Sequence, residues 1–162
     1  MRRLRRAPFV ALLAGIGLLA TACGRDVAVR GSGPEPSSEE AAIAIEVHRS
    51  PLCGCCVEYE EYLEEHGFEV TSIERDDVDG LKQELGMPQE MGSCHTSLVE
   101  GYFVEGHVPV EVIRELLAER PDIDGISLPG MPEGSPGMGG TKSEPWVIYA
   151  IDDGEVEEFA TL

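Results

Sequence analysis

The chain has 162 residues, 42% hydrophobic and 27% charged, which excludes a wholly disordered or fibrous protein and suits one globular domain. Its 31 acids outnumber its 12 bases, for a formal net charge of −19. Neutralising phosphates needs a basic surface, so nucleic acid is excluded as a partner.

The first residues depart from that acidity. Arg2, Arg3, Arg5 and Arg6 precede an apolar run from Ala7 to Ala20. The run is short for a bilayer span and ends in small residues, which predicts a secretory signal peptide over residues 1–22. Its removal takes four bases and no acid, so the exported chain is more acidic still. Leu19-Ala20-Thr21-Ala22-Cys23-Gly24 resembles a bacterial lipobox, with Ala20 where leucine is commoner. The resemblance implies that Cys23 is lipidated and becomes the new N-terminus. Its acyl chains would then anchor the protein to a membrane of the bacterial cell envelope, on the periplasmic or extracytoplasmic side. Residues 23–41 are rich in Gly, Pro, Ser and Glu and read as a flexible acidic tether, leaving 42–162 as the domain.

Within the domain, Ile43–His48 is β-branched and partly alternating, a strand. Ser50-Pro51 turns the chain into a cysteine cluster, and Val57–His66 continues as a helix closed by Gly67. Phe68–Glu74 alternates as a second strand, and Val78–Leu85 is a short helix ending at Gly86. Ser97–Val99 and Tyr102–Val104 flank Glu100-Gly101 as a hairpin. Val110–Glu119 carries the clearest helical spacing and is stopped by Pro121. A Gly/Pro-rich loop from Gly125 to Gly140 follows. Trp146–Ile151 and Val156–Phe159 then flank Asp153-Gly154 as a terminal hairpin. The order β-α-β-α-β-β-α predicts an α/β, thioredoxin-like fold, a central mixed sheet with flanking helices and a C-terminal hairpin.

The chemistry concentrates at the first strand-to-helix junction. Cys53-Gly54-Cys55-Cys56 holds a C-x-x-C pair, Cys53 and Cys56, with a third thiol inside it. Thiols in a first helical turn feel its positive end, which favours thiolate, both a nucleophile and a soft metal ligand. Cys94 precedes the third strand, which in this fold faces the C-x-x-C turn, so all four thiols converge. The antiparallel hairpin returns the chain to the same end and brings His107 toward Cys94 and His95. Strand alternation argues against His95 as a partner of Cys94. Met131 and Met138 sit in a loop with little core to fill and are candidate thioether ligands, with Met91 a weaker one.

Several motifs occur in register: Cys53-Gly54-Cys55-Cys56, Ser93-Cys94-His95-Thr96, Gly101-Tyr102 with Glu105-Gly106-His107-Val108-Pro109, and Leu128-Pro129-Gly130-Met131-Pro132 with Gly134-Ser135-Pro136-Gly137-Met138. Together, over about residues 43–160, they resemble the CopG-type family of bacterial copper-resistance proteins. The resemblance implies a thioredoxin-like fold, export, and copper bound at the cysteine cluster.

Ligand chemistry points the same way. Several thiolates with nearby thioethers select Cu(I), while oxygen-rich sites select Mg, Ca or Mn. Zinc is the rival, but structural zinc sites pair ligands at two separated places, and three thiols within four residues make a poor tetrahedral start. Such crowding suits several bridged Cu(I) ions. The predicted site is thus Cys53, Cys55, Cys56, Cys94, His107, Met131 and Met138 as copper ligands, with no catalytic residue assigned. The predicted role is to hold or transfer Cu(I), with other envelope copper-handling proteins as partners. The alternative is a thiol–disulfide oxidoreductase with Cys53 as nucleophile and Cys56 as resolving thiol. A plain Cys53–Cys56 disulfide, a stapling Cys94 and a turn-satisfying His107 are the structural alternatives.

Overall fold

A computed structural model describes residues 41–162. The predicted signal peptide (1–22), Cys23 and all but the last residue of the predicted tether (23–41) lie outside the described residues. The elements, in chain order, are β1 (Ile43–Arg49), α1 (Gly54–Glu65), β2 (Phe68–Glu74), α2 (Val78–Glu84), a 3-10 turn (Gln89–Met91), β3 (His95–Val99), β4 (Tyr102–Glu105), α3 (Val110–Glu119), β5 (Gly125–Ser127), β6 (Val147–Asp152) and β7 (Glu155–Thr161).

All seven strands join one mixed sheet in the order β2-β1-β3-β4-β5-β6-β7. β1 runs parallel to β2 and antiparallel to β3, and β3 runs antiparallel to β4. These four strands and three helices reproduce the expected thioredoxin-like plan. β5 then adds parallel to β4, and the β6–β7 hairpin extends the sheet antiparallel to β5. Asp153 and Gly154 both take positive φ (49° and 80°), which matches the hairpin turn to the strand twist.

Alternation along the strands sorts the apolar residues onto two faces. On one, Ile45, Val47, Val104, Ile126 and Ile148 pack under Tyr59 and Leu63 of α1 and Val112, Ile113 and Leu116 of α3. On the other, Phe103 and Ile151 pack with Met87 and the half-buried Leu85 and Leu98. Phe103 and Val104 are sequence neighbours on opposite faces, as the pleat requires. Helix α1 buries Cys56, Tyr59 and Leu63, an i, i+3, i+7 stripe that draws its first turn against the sheet.

Two differences from the sequence reading exceed two residues. Helix α1 begins at Gly54 rather than Val57, so Cys53 is its N-cap and Cys55 and Cys56 occupy its first turn. Gly125–Ser127 is a buried strand rather than the start of a loop. Its three residues carry no period of their own, and both partners lie far off in the chain. Gly125 passes so close to the Phe103 carbonyl and ring that no Cβ fits there.

Candidate metal centre

The pairing of Arg49 with His95 carries Cys94 to the sheet end where β1 turns into α1. The turn itself is closed by the Cys53 N–H donating to the Ser50 carbonyl at 3.1 Å. Four sulfurs therefore meet: the ligand atoms of Cys53, Cys55, Cys56 and Cys94 all lie within 4.8 Å of one another. Cys94 Sγ stands 3.6 Å from Cys56 Sγ and 4.0 Å from Cys55 Sγ, and Cys55 Sγ stands 3.6 Å from Cys53 Sγ. Cys53 and Cys56 are joined in a disulfide, and Cys55 and Cys94 are free thiols. Cys56 is fully buried, whereas Cys53, Cys55 and Cys94 keep part of their surface in solvent.

Two imidazoles complete the cluster. His107 Nδ1 lies 2.6 Å from the Pro136 carbonyl and must donate to it. That bond leaves the Nε2 lone pair facing Cys94 Sγ at 3.1 Å, the arrangement that orients a histidine for ligation. His95 Nδ1 lies 3.3 Å from the same sulfur, and Cys94, His95 and His107 form a second set of atoms within 4.8 Å of one another. The alternation argument against His95 does not apply, because Cys94 precedes the strand and its side chain is not bound by the pleat. His95 Nε2 is buried without a hydrogen-bond partner. Tyr59 packs its ring 4.7 Å from that of His95 and 5.1 Å from that of His107, and its hydroxyl donates to the Val108 carbonyl at 2.7 Å. Sequence reasoning missed Tyr59, although its place three residues after Cys56 puts both on one helical face.

Burial sets the electrostatics. It pushes the Cys94 thiol up to about 12, with the neighbouring Cys55 charge adding to the effect. Burial also lowers His95 to about 3, helped by the nearby Lys82 ammonium and by the cost of protonating His95 beside His107. His107 is lowered by burial and partly restored by its bond to Pro136. Both imidazoles are thus neutral and Cys94 is protonated at neutral pH. A bound cation would supply the charge that lets the thiol release its proton.

Beneath Cys94 lies a buried ion pair that no motif announced. Lys82 Nζ stands 2.7 Å from Glu105 Oε1, with the lysine side chain 9% exposed and the glutamate fully buried. The Ser93 N–H donates to Glu105, Lys82 donates to the Ser93 carbonyl, and the Thr96 hydroxyl donates to Glu105 Oε2 at 2.6 Å. Both backbone polar groups of the residue before Cys94 are held by opposite charges. Burial raises the Glu105 carboxyl, and Lys82 opposes the rise.

The Gly/Pro loop touches the centre at two places. The Ser93 hydroxyl donates to the Gly130 carbonyl, and the Gly130 N–H donates to Gly92 at 3.0 Å, next to the exposed Met131. Gly137 sits against α1 so closely that a Cβ would lie 2.7 Å from Tyr59 N and 3.1 Å from the Cys55 carbonyl. Met138 follows it, half-buried beside Glu58, Tyr62 and Glu65 of α1. Met91 packs against the Met87 and Phe103 cluster. The exposed His66 caps its helix, with Nδ1 2.7 Å from the Tyr62 carbonyl, and His48 is buried on β1.

Fold and site together define a thioredoxin-like protein in which a C-x-C-C turn, a facing cysteine and buried histidines form a soft-ligand cluster. Two solved structures of copper resistance protein CopG, Form 2 and Form 1, match with TM-scores of 0.70 and 0.69. Each is 42% identical, with 75% of this chain and 98% of that chain covered. A family model described as a protein of unknown function, DUF411, matches residues 91–138. No curated protein matches the chain. On identity and coverage the chain belongs to the CopG copper-resistance family.

Proposed function

We propose that this protein binds Cu(I) at Cys53, Cys55, Cys56 and Cys94 and so contributes to copper tolerance at the cell envelope. One observation carries the reading: four sulfurs within 4.8 Å, with the His107 Nε2 lone pair aimed at one of them. Oxygen donors are absent from both ligand sets found among the described residues, which favours a soft monovalent ion over Mg or Ca. Thiolates this crowded bridge metal ions, so the cargo is a multinuclear Cu(I) cluster. His107 and the loop methionines Met131 and Met138 act as further ligands at its edge. Export by the predicted signal peptide and lipidation of Cys23 would hold the domain at a membrane on the acidic tether, where it exchanges copper with other copper-handling proteins.

Binding requires the reduced state. Opening the Cys53–Cys56 disulfide takes two electrons and yields the two thiolates that copper needs. Anaerobic Cu(I) titration of the reduced protein against a chelator, with metal analysis of the protein as purified, tests the reading. Tight uptake of more than one Cu(I) is expected, and its absence refutes the proposal. The disulfide favours a second reading, thiol–disulfide exchange with Cys53 as nucleophile. An insulin disulfide reduction assay with and without Cu(I) separates the two. Brisk turnover unaffected by stoichiometric copper would place the oxidoreductase first.

A further inference from the structure

Four large hydrophobic side chains are exposed among the described residues, and three of them border the thiol cluster, two by chain adjacency and one through the Ser93–Gly130 hydrogen bond. Leu52 (93% exposed) precedes Cys53, Val57 (38%) follows Cys56, and Met131 (56%) follows the Gly130 that accepts from Ser93. Isolated surface hydrophobics are ordinary, but an apolar collar around a reactive centre is not. Leu52 is held outward rather than left at a loose tip. Its N–H donates to Ser50 Oγ at 3.3 Å within a turn that the Cys53 N–H closes. The cysteines inside the collar remain partly open to solvent, so an incoming ligand can reach them.

The surroundings of the collar are acidic. Glu58 and Glu61 are exposed on α1, Glu133 is exposed two residues after Met131, and Glu90 is exposed before Ser93. Two bases that border the cluster do not offset them. Arg49 is buried against Glu60, and Lys82 is buried against Glu105. An apolar centre with a rim of one sign is the anatomy of an interface steered by charge. A second copy of this chain, at −19, meets like charge, and so does an anionic lipid surface.

We propose that this collar docks an electropositive metal-carrying protein, one that presents Cu(I) on its own sulfurs at an apolar tip edged with Lys or Arg. The inference rests on the copper reading above and names the partner of that site. Copper passes without change of oxidation state. Each new Cu–S bond here replaces one on the carrier, and each thiol proton released here is matched by one taken up by a freed carrier thiolate.

The test uses the reduced protein and three Cu(I) sources. Two are synthetic peptides of equal length with one Cys-x-x-Cys pair and a flanking leucine, one edged with lysine and the other with glutamate. The third is the small-molecule complex Cu(I)–bicinchoninate. Transfer from the lysine peptide should exceed that from the glutamate peptide by about tenfold or more at low salt, and the gap should close as salt is raised. Leu52→Ser with Val57→Ser should slow uptake from the lysine peptide about tenfold and leave uptake from bicinchoninate unchanged. Equal rates from the two peptides, or a double variant that behaves as wild type, overturns the proposal. So does self-association, or adsorption to phosphatidylglycerol vesicles, that the double variant abolishes. If the wild type takes no Cu(I) from bicinchoninate, the copper reading fails by itself. Docking is then read from amide shifts induced by the metal-free lysine peptide. Shifts at Leu52, Val57 and Glu58 support it, and their absence refutes it.

Discussion

Removing the carboxylate of Glu105 should separate two roles, folding and the seating of Cys94. In Glu105→Ala the buried Lys82 ammonium loses its counter-ion at 2.7 Å. The Ser93 N–H and the Thr96 hydroxyl lose their acceptors at the same time. Breaking one partner of a buried pair costs about 3–5 kcal/mol, because the remaining charge is stranded in low dielectric. Against a total stability of about 5–15 kcal/mol that is a large share. Replacing both partners by apolar residues of similar volume, Lys82→Met with Glu105→Leu, removes the stranded charge and should recover part of that loss, leaving about 1–3 kcal/mol for the Ser93 N–H and Thr96 hydroxyl still without acceptors. Stability therefore recovers in part in the double variant, but the Ser93 peptide is unclamped in both. Cu(I) affinity, read by chelator competition, should accordingly fall about tenfold in each variant, or about 1.4 kcal/mol at the site. Urea unfolding followed by circular dichroism supplies the stability arm. A single variant that costs less than about 1 kcal/mol, or a double variant as damaged as the single, would refute the account of the pair. A double variant with wild-type Cu(I) affinity would refute its role in placing Cys94.

Three further outcomes are expected. Folding lowers His95 from 6.5 to about 3, so between those values the unfolded chain binds the extra proton, and stability of the metal-free protein falls as pH drops through that window. The limiting slope is about 1.4 kcal/mol per pH unit for one group; His48 and His107 are lowered too and act with the same sign. In urea titrations at successive pH values His95→Gln should flatten the profile, and an unchanged profile would contradict the assignment. Gly137→Ala sets a Cβ 2.7 Å from Tyr59 N at a φ of +73°, so it should cost about 1–3 kcal/mol and weaken Cu(I) binding as Pro136 releases His107. Mass spectrometry of the exported protein should find acylated Cys23 at its N-terminus, and any other first residue rules out the lipid anchor.

Local order was legible wherever one residue type settles a backbone choice. Pro121 ends α3, Asp153-Gly154 turns the last hairpin, and the β-branched run from Ile43 announces β1. The cysteine cluster was legible for a similar reason, since its chemistry is carried by composition within one turn. β5 was not legible. Gly-Ile-Ser has no periodicity, and it becomes a strand only because β4 and β6 offer it hydrogen bonds on both sides.

The sequence by itself determined which groups cluster: three cysteines at a helix N-terminus, with a fourth cysteine and a histidine placed by fold order to meet them. These follow from side-chain chemistry and element order, which are local properties of the chain. Only the tertiary structure decided which groups face which. His95 joins Cys94 because the cysteine lies outside the strand and escapes its alternation. Tyr59 closes over both imidazoles because its helix buries one stripe, and Lys82 meets Glu105 only when α2 packs on the sheet. Contacts between segments distant in the chain depend on packing geometry, which no short window of sequence contains.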